Sequence, residues 1–333
     1  MVTQKDVAKK AGVSFITVSR VINGSKKVKP ETKKRVLNAI KELGYYPNIM
    51  GRALHINKIN TIGVIIPFTS HIFSTPYYVD LLRGIEKVCA EKGYEIIFHP
   101  KKNEIEEIDY LKLYYERKAD GLLIIAPRIN DEQLTVIAEK KIPALVVHGR
   151  YKDKSISFVD SDNKKGGFLA TEYLIKKGHN KIAFLGGWEF VINTIDRLQG
   201  YKKALKKYNL NFKKEWILFG DYSQKSGYEL TKKILSQKEI PDAIFGGDDL
   251  MAIGAIKAIK ERGLRIPEDI AIIGFDDIEM GKYVEPALTT IRQQALKIGA
   301  ESARLLINKI NNKNFSSFSS LIVDVELIIR NSA

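Results

Sequence analysis

The chain has 333 residues, 44% of them hydrophobic, and a formal net charge of +15, so it is long enough for two or three globular domains and too apolar to be disordered. No apolar run approaches the roughly 18–20 residues of a membrane span, and the first residues lack the apolar stretch of a secretory signal. The single cysteine, Cys89, excludes an internal disulfide and a multi-thiolate metal site, and together these features predict a cytoplasmic protein without a membrane partner.

The positive charge is concentrated near the N-terminus. Residues 1–58 contain 13 basic and three acidic side chains, whereas the rest of the chain contains 41 basic and 36 acidic side chains. A concentrated positive field favours a polyanionic partner, because each neutralised phosphate releases condensed counterions. Lysine-rich segments also occur on ordinary solvated surfaces, so the charge by itself leaves both interpretations open.

Two short amphipathic blocks open the chain. Thr3 and Asp6 have the spacing of a capping box, which predicts the start of a first helix. Gly12 can adopt a positive φ and Ser14 can cap a second helix, so a tight turn is predicted between the two blocks.

A third helix is predicted from about residue 30 to residue 43. Pro30 suits its first turn, Gly44 suits its end, and its apolar face is predicted to consist of Val36, Leu37, Ile40 and Leu43. Three short helices with a tight first turn are the plan of a helix-turn-helix, whose second helix enters the DNA major groove.

The predicted second helix carries the side chains that would contact base edges. Its core side holds Val18, Val21 and Ile22, which leaves Phe15, Ile16, Thr17 and Arg20 on the groove side. An arginine can bond guanine O6 and N7 together, and apolar side chains can contact a thymine methyl. Contacts to phosphates, which fix the register of a protein on DNA, are expected from Ser14, Ser19, Asn23, Lys29 and Thr32.

These residues belong to a longer motif. It is Asp6-Val7-Ala8-x-x-Ala11-Gly12-Val13-Ser14-x-x-Thr17-Val18-Ser19-Arg20-Val21-x-Asn23, followed by Gly44-Tyr45-Tyr46-Pro47-Asn48. The motif resembles the DNA-binding head of the lac-repressor/galactose-repressor family. The resemblance implies a helix-turn-helix domain over 1–46 and a hinge helix and linker over 47–59.

The same resemblance implies a second DNA contact. In that family two hinge helices pair in the minor groove, where a leucine from each wedges between base steps and kinks the duplex. The corresponding residues here are Asn48, Arg52, Ala53 and Leu54. Gly51 departs from a good helix former and costs about 1 kcal/mol of helix propensity relative to alanine.

Beyond residue 60, short apolar runs alternate with amphipathic blocks. Strands are predicted at 62–66, 95–98, 121–125, 144–147, 156–159, 181–185, 217–219, 243–245 and 270–273. The helical blocks between them include 78–92, 164–177, 197–207 and 251–262. Regular alternation of strands and helices implies parallel sheets flanked by helices, with ligands at the carboxyl ends of the strands. So many strands indicate two α/β lobes.

This region also resembles the effector-binding core of the same family, a fold shared with periplasmic sugar-binding proteins. The matching motifs include Gly63-Val64-Ile65-Ile66-Pro67, Arg197-x-x-Gly200-Tyr201 and Gly274-Phe275-Asp276-Asp277. The expected fold class is therefore a small all-α headpiece followed by a two-lobed α/β core, 60–333, with parallel sheets. The resemblance assigns about 60–160 and 291–320 to one lobe, and about 161–290 and 321–333 to the other.

The resemblance also implies an effector site. Arg197, Asp248 and Asp276 lie where family members hydrogen-bond their effector, and five aromatic side chains could stack on a ring: Phe73, Trp188, Phe190, Tyr222 and Phe275. An arginine with carboxylates can bond several vicinal hydroxyls, which favours a neutral sugar; a purine and a phosphorylated effector are the alternatives. Two departures, a longer loop at 68–77 and His148 at a position that is often acidic or polar, prevent a direct transfer of effector identity.

The sequence does not favour an enzyme. No two glycines are separated by a single residue, so the dinucleotide fingerprint is absent, and there is no phosphate-binding loop of the Walker type. The five histidines have no metal-ligand spacing. No catalytic residue, metal ligand or cofactor is predicted. A transport-type sugar-binding protein is the other alternative, and the basic helix-turn-helix argues against it.

The sequence therefore predicts a repressor of carbohydrate-utilisation genes. We expect it to be a homodimer on pseudo-palindromic operator DNA, because one headpiece reads few base pairs and a palindrome matches a protein two-fold axis. A small effector, expected to be a sugar, would control it allosterically. Its place would be the cytoplasm, in association with the nucleoid.

Overall fold

The computed structural model describes residues 2–22, 25, 27–46, 58–66, 75–100, 108–151, 155–312 and 318–333. The chain divides into two compact units, Met1–Ile59 and Asn60–Ala333, called here the headpiece and the core. Within the described ranges, no helix is long and apolar enough to cross a membrane.

The headpiece contains three helices, α1 (Gln4–Ala11), α2 (Phe15–Ile22) and α3 (Pro30–Leu43). Their ends confirm the predicted signals. The Thr3 side chain accepts a hydrogen bond from the Asp6 amide while the Asp6 carboxylate accepts one from the Thr3 amide, which is the capping box. Gly12 ends α1 with φ of 63° and Gly44 ends α3 with φ of 57°, conformations that glycine adopts without the cost that a Cβ would impose.

The headpiece core lies where the three helices meet. Val7, Val18 and Val36 are fully buried at its centre. The buried stripe of α3 also contains Ala39, whereas the prediction for Leu37 was wrong, because this side chain is 48% exposed. One residue turns a helix by about 100°, so a position next to Val36 points away from the stripe that runs at intervals of three and four residues.

The core contains two sheets of six described strands each, and the lobe built on each sheet is called here the first or the second lobe accordingly. The first has the order β11-β5-β4-β3-β1-β2 and the second has the order β12-β10-β9-β8-β6-β7. All described pairings are parallel except that of β12 with β10. The strands are β1 (Thr61–Ile66), β2 (Glu95–Pro100), β3 (Gly121–Ile125), β4 (Ala144–Val147), β5 (Ser157–Ser161), β6 (Ile182–Gly186), β7 (Ile217–Phe219), β8 (Ala243–Gly246), β9 (Ala271–Asp276), β10 (Thr289–Arg292), β11 (Ser320–Val323) and β12 (Glu326–Ile328).

Helices cover both faces of each sheet. They are α4 (Pro76–Lys92), α5 (Lys112–Tyr115), α6 (Glu132–Glu139), α7 (Asn163–Lys176), α8 (Ile192–Lys207), α9 (Gln224–Leu235), α10 (Asp249–Glu261) and α11 (Ala295–Asn311). Helices α4 and α11 pack on one face of the first sheet, and α10 packs on one face of the second. The opposite face of the second sheet packs against α7 and α8. Strands buried on two faces read as continuous apolar runs, which is why their positions could be predicted.

The chain crosses between the lobes at three described places. It leaves the first sheet after β5, returns to it after β10, and leaves it again between β11 and β12. Two expected boundaries are corrected: Ile291 pairs with Phe275 in the second sheet, and Leu321 pairs with Val159 in the first. Each of these residues continues a strand that begins on the other side of the expected boundary.

Candidate DNA-binding surface and effector site

The outer side of α2 presents apolar side chains to solvent. Phe15 is 49% exposed and Ile16 is 60% exposed, and Arg20 is exposed beside them. Val18 and Val21, on the opposite side, are buried. A small domain that leaves large apolar groups exposed next to a cation has the chemistry of a helix that contacts base edges and thymine methyls.

The start of α2 is held by a pair of hydroxyl side chains. Ser14 Oγ accepts a hydrogen bond from the Thr17 amide at 3.2 Å, and the two hydroxyl oxygens lie 2.9 Å apart. Thr17 is therefore half-buried and oriented by the helix cap. Of the expected phosphate contacts, Lys29 is exposed, while Ser19 and Thr32 are half-buried.

Six residues predicted to take part in binding lie outside the described part of the chain. They are Asn23 of the headpiece, the hinge residues Asn48, Arg52, Ala53 and Leu54, and Phe73 of the effector site. Their roles stay predictions from the sequence.

Arg197 of α8 lies where the two lobes meet, and its side chain is held on three sides. Nε donates to Asn163 Oδ1 at 2.8 Å, and Nη1 donates to the Gly247 carbonyl at 2.5 Å. The guanidinium carbon lies 3.7 Å from the centre of the Phe275 ring. The close crossing of α7 and α8 requires glycine, because a Cβ on Gly167 would lie 2.2 Å from the Arg197 carbonyl oxygen.

Phe275 supports this arginine and does not line the site. Its side chain is fully buried, packs against Phe245 and is covered by the Arg197 guanidinium. The expectation that Phe275 stacks on an effector is therefore corrected: its ring face is used in a cation–π contact inside the lobe.

Two carboxyl groups face the lobe junction near Arg197. Burial raises the pKa of Asp276 to about 7, Arg197 opposes the rise, and Asp249 adds to it. Burial also raises the pKa of Asp248 well above its usual value, and Asp276 adds to that rise. Asp248 Oδ1 accepts the Met251 amide at 2.7 Å and so caps α10.

The neighbouring carboxyl groups are fixed inside the second lobe. Asp249 accepts hydrogen bonds from Thr290 Oγ1 at 2.5 Å and from the Ile278 amide at 2.8 Å. Asp277 pairs with Arg292 at 2.7 Å and with Arg330 at 2.5 Å. Both are structural, so only Asp248 and Asp276 of the four can contact a ligand.

Aromatic side chains of the second lobe surround Tyr222. Its hydroxyl bonds Thr194 Oγ1 at 2.5 Å, and the Trp188 ring meets its ring edge-on with centroids 5.6 Å apart. Trp188 also stacks on Phe190. Burial raises the pKa of Tyr222, so this phenol stays protonated.

The first lobe contributes two tyrosines that the sequence did not point to. Tyr77 and Tyr78 lie in the first turn of α4. Tyr78 packs against a hydrophobic cluster of the second lobe, as Tyr222 does, and burial raises its pKa. A Tyr-Tyr pair directly after Pro76, at the end of the lengthened loop, is the sequence signal that could have identified them.

A buried hydrogen-bond network joins the lobes through His148. The Tyr77 hydroxyl lies 2.6 Å from His148 Nε2, and His148 Nδ1 lies 3.2 Å from Asp160 Oδ1. Asn163 Nδ2 donates to the same Asp160 oxygen at 3.0 Å. Since Asn163 also accepts from Arg197, the network runs from α4 of one lobe to α8 of the other.

Gln293 makes a second connection at the crossing after β10. Its Oε1 accepts from Ser161 Oγ at 2.5 Å, and its Nε2 donates to Asp276 Oδ1 at 2.5 Å. Sequence analysis did not predict His148, Asp160 or Gln293 as partners, because they are far apart in the chain and meet only when the lobes form.

Two features of the junction are typical of ligand sites. Among the described residues, two buried side-chain oxygens lack a hydrogen-bond partner, Asp160 Oδ2 and Asn193 Oδ1. Asn193 lies one turn before Arg197 on α8, so both side chains share one face of the helix. Positive φ values occur at His148 (56°), Tyr222 (64°) and Asp276 (126°), and such strained non-glycine backbone is concentrated at functional sites.

The junction therefore offers Arg197, two carboxyl groups with raised pKa and several phenols, which can bind a small polar ligand from both lobes. No cluster of three or more histidine, cysteine or acidic side chains suited to a metal ion occurs in the ranges that the structure describes.

The chain is similar to known regulators along its whole length. Residues 3–48 match the family described as bacterial regulatory proteins, lacI family, and residues 171–333 match the periplasmic binding protein-like domain. The HTH-type transcriptional repressor PurR of Haemophilus influenzae (strain PittEE) is 35% identical over 335 residues, which cover 100% of this chain and 98% of the relative.

Two solved structures are similar to the whole fold. A complex of the transcriptional regulator CelR with cellobiose has a TM-score of 0.77 and 31% identity, covering 100% of both chains. The lac repressor dimer bound to operator and the anti-inducer ONPF has a TM-score of 0.87 and 26% identity, covering 99% of this chain and 98% of the other. With its helix-turn-helix headpiece and two-lobed core, the chain belongs to the lacI family of bacterial regulatory proteins and is a DNA-binding transcriptional repressor.

Proposed function

We propose that this repressor binds pseudo-palindromic operator DNA and changes its affinity for that DNA when a small effector binds between the lobes of the core. The observation that carries the effector half is the junction around Arg197, where two carboxyl groups with raised pKa meet tyrosines from both lobes. Titratable groups whose pKa is shifted by burial and by neighbouring charges are concentrated at functional sites.

The headpiece supplies the operator half of the proposal. Exposed Phe15 and Ile16 beside Arg20 are suited to a major-groove site with thymine and guanine edges. Selection of binding sequences from random duplexes with the full chain tests this. We expect enrichment of an inverted repeat and a log affinity that falls linearly with log salt; recovery of sequences without any repeat would overturn it.

For the effector we propose a neutral, flat ring with N–H donors, that is, a purine base. Tyr78 and Tyr222 are half-buried aromatic residues of the two lobes that pack in one cluster, and Asp276 and the unpartnered Asn193 Oδ1 offer acceptors. A phosphorylated or carboxylated ligand would be repelled by Asp248 and Asp276 when these are ionised. The name PurR of a full-length relative is consistent with this choice.

The neutral sugar predicted from the sequence is the second candidate. The observation in its favour is the CelR neighbour, which is a complex with cellobiose. A sugar would use the same Arg197 and Asp276, since hydroxyls both donate and accept hydrogen bonds. The repressor's target genes would then be those of carbohydrate use, as the sequence predicted.

Titration calorimetry with purine bases and with mono- and disaccharides separates the two candidates. We expect one purine base to bind per chain and the sugars to give no heat of binding. A Tyr222→Leu variant should lose about fivefold to tenfold in purine affinity because it lacks a ring face, whereas the matched Tyr222→Phe variant should keep most of it. A heat of binding from a disaccharide, with none from any purine base, would contradict the purine and favour the sugar.

We also propose that the repressor is a homodimer joined partly through the outer side of α4. A groove of 660 Å³ lies there against strand β2, which is at the edge of the first sheet. Val79 and Phe98 line it and are 37% and 38% exposed. The lac repressor neighbour is described as a dimer, so a second copy of this chain is the proposed occupant.

Sedimentation equilibrium of the full chain tests the dimer. Val79→Asp should shift the mass toward a monomer, because a buried unpaired carboxylate is costly in an interface. Phe212→Asp is the matched control, since Phe212 is 39% exposed but lies in the second lobe away from α4 in sequence. A wild-type monomer, or equal effects of the two substitutions, would contradict the proposed interface.

A further inference from the structure

Arg150 forms an ion pair that spans the two lobes. It follows β4 of the first lobe, and its Nη2 donates to Asp196 Oδ2 at 2.5 Å. Asp196 belongs to α8 of the second lobe and is 2% exposed. Backbone contacts close the same edge of the junction, where the Ile129 amide donates to the Phe190 carbonyl at 2.9 Å.

Arg150 has a second acidic neighbour within its own lobe. Its Nη1 lies 3.9 Å from Asp160 Oδ2. Asp160 is fully buried, and its other oxygen accepts hydrogen bonds from Asn163 and from the Ser161 amide, whereas Oδ2 has no hydrogen-bond partner. A buried carboxylate oxygen without a donor is rare and calls for an explanation.

The two ion-pair distances respond differently to a movement of the lobes. Arg150 follows strand β4, and Asp160 lies on the neighbouring strand β5. Val147 of β4 and Val159 of β5 are in register. Their separation is therefore set within the first lobe. The distance from Arg150 to Asp196 is set by the position of α8, so it must grow when the lobes separate.

The same elements reach the effector site. Asp196 and Arg197 are consecutive on α8, and Arg197 bonds Asn163, which in turn bonds Asp160. A ligand that draws Arg197 toward the junction therefore also brings Asp196 toward Arg150. Both acidic partners of Arg150 are connected to the residue that would hold the effector.

We propose that Arg150 is a positioning residue for the switch, whose guanidinium pairs with Asp196 when the lobes are together and moves to Asp160 Oδ2 when they separate. The exchange gives the separated state a partner for the buried Asp160 oxygen, and it gives the joined state a cross-lobe pair. The proposal rests on the proposed function, because the effector there acts by changing the position of the lobes.

The test is an interlobe distance measured without any effector. Spin labels at Lys140→Cys and Lys233→Cys, which are exposed sites in different lobes, report this distance by pulsed electron resonance in a Cys89→Ser background. Asp196→Asn should lower the ratio of joined to separated molecules about tenfold, a size common for conformational coupling. Asp160→Asn should shift the ratio in the opposite direction, because the separated state loses its charged partner.

Two further variants separate positioning from ordinary stability. Lys164→Ala is the matched control: Lys164 also faces Asp196, at 3.6 Å, but is 55% exposed, so the distances should not change. Arg150→Met removes the pair of both states, so Asp196→Asn should no longer change the ratio in an Arg150→Met background. An unchanged distance distribution in Asp196→Asn would overturn the proposal, and it would do so whether or not the effector is a purine. If Asp160→Asn does not fold, the effects of Asp196→Asn in the wild-type and in the Arg150→Met backgrounds still test the proposal.

Discussion

The headpiece and the lobe junction are built in different ways. The proposed base-contacting residues of the headpiece lie on one eight-residue helix, α2 (Phe15–Ile22), and face outward because Val18 and Val21 face inward. The junction combines α4, β5, α8 and β9 and the crossing at Gln293. The first surface needs only local structure, whereas the second exists only once both lobes have formed.

Because of this difference, we expect substitutions at the junction to leave operator binding intact and substitutions in the headpiece to leave effector binding intact. The largest effect is expected for Arg197→Ala. It removes a guanidinium that is 4% exposed and leaves Asn163 Oδ1 and the Gly247 carbonyl without their donor. We expect effector affinity to fall by about 100-fold or more, corresponding to about 3 kcal/mol, with operator affinity unchanged in the absence of effector.

Calorimetry and operator anisotropy on the same sample measure both quantities. Lys203→Ala is the control, since Lys203 lies on the same helix and is exposed. Loss of operator binding in Arg197→Ala at a temperature where the core is folded would contradict the separation of the two regions.

The second effect is expected at Arg20. Because the side chain is exposed on the outer side of α2, Arg20→Ala should remove discrimination at one operator base pair, by about 1–3 kcal/mol. Affinity for random DNA should change little. The comparison is with Lys29→Ala, which should weaken operator and random DNA equally and reduce the salt dependence. Equal losses on both DNAs for Arg20→Ala would make it a phosphate contact.

A smaller effect is expected from pH, and it is confined to the junction. The pKa of Asp276 is raised to about 7, so in the ligand-free protein the carboxyl is largely protonated at pH 6 and ionised at pH 8. The protonated form favours folding, and this contribution is lost as the pH rises through 7. An effector that donates a hydrogen bond to the carboxylate gains from the same ionisation. Its affinity should therefore rise about tenfold between pH 6 and pH 8.

Asp276→Asn should remove this pH dependence, because the amide does not titrate. Operator affinity at constant ionic strength should not show the same profile. An effector affinity that falls over this range, or a profile that persists in the amide variant, would show that another group titrates.

Sequence reasoning succeeded where local chemistry decides structure. The capping box at Thr3, the turn at Gly12 and the end of α3 at Gly44 were all predicted from single residues. The error at Leu37 arose because the buried stripe of α3 runs through Val36 and Ala39, and Leu37 lies about 100° from Val36 around the helix, on the side away from Ala39. In the core, strands β10, β11 and β12 have no counterpart among the nine predicted strand ranges, since each is short and partly polar.

The junction could be predicted only in part. Arg197 and Asp276 were identified through the family resemblance. The structure adds the partners that hold them, Asn163 for Arg197 and Gln293 for Asp276. Tyr77 and His148 are 71 positions apart and bond each other at 2.6 Å, a contact that no local spacing encodes. Phe275 was misjudged because an aromatic residue at a strand end can serve the ligand or the core, and burial decides between them.

Operator binding and effector binding are proposed to be coupled in this chain, and reciprocal affinities test that coupling. Operator affinity is measured with and without saturating effector, and effector affinity with and without saturating operator. Thermodynamic linkage requires the same factor in both directions, and we expect it to be between about 5 and 150. A ligand that binds the core and leaves operator affinity unchanged would show that the two binding events are not coupled.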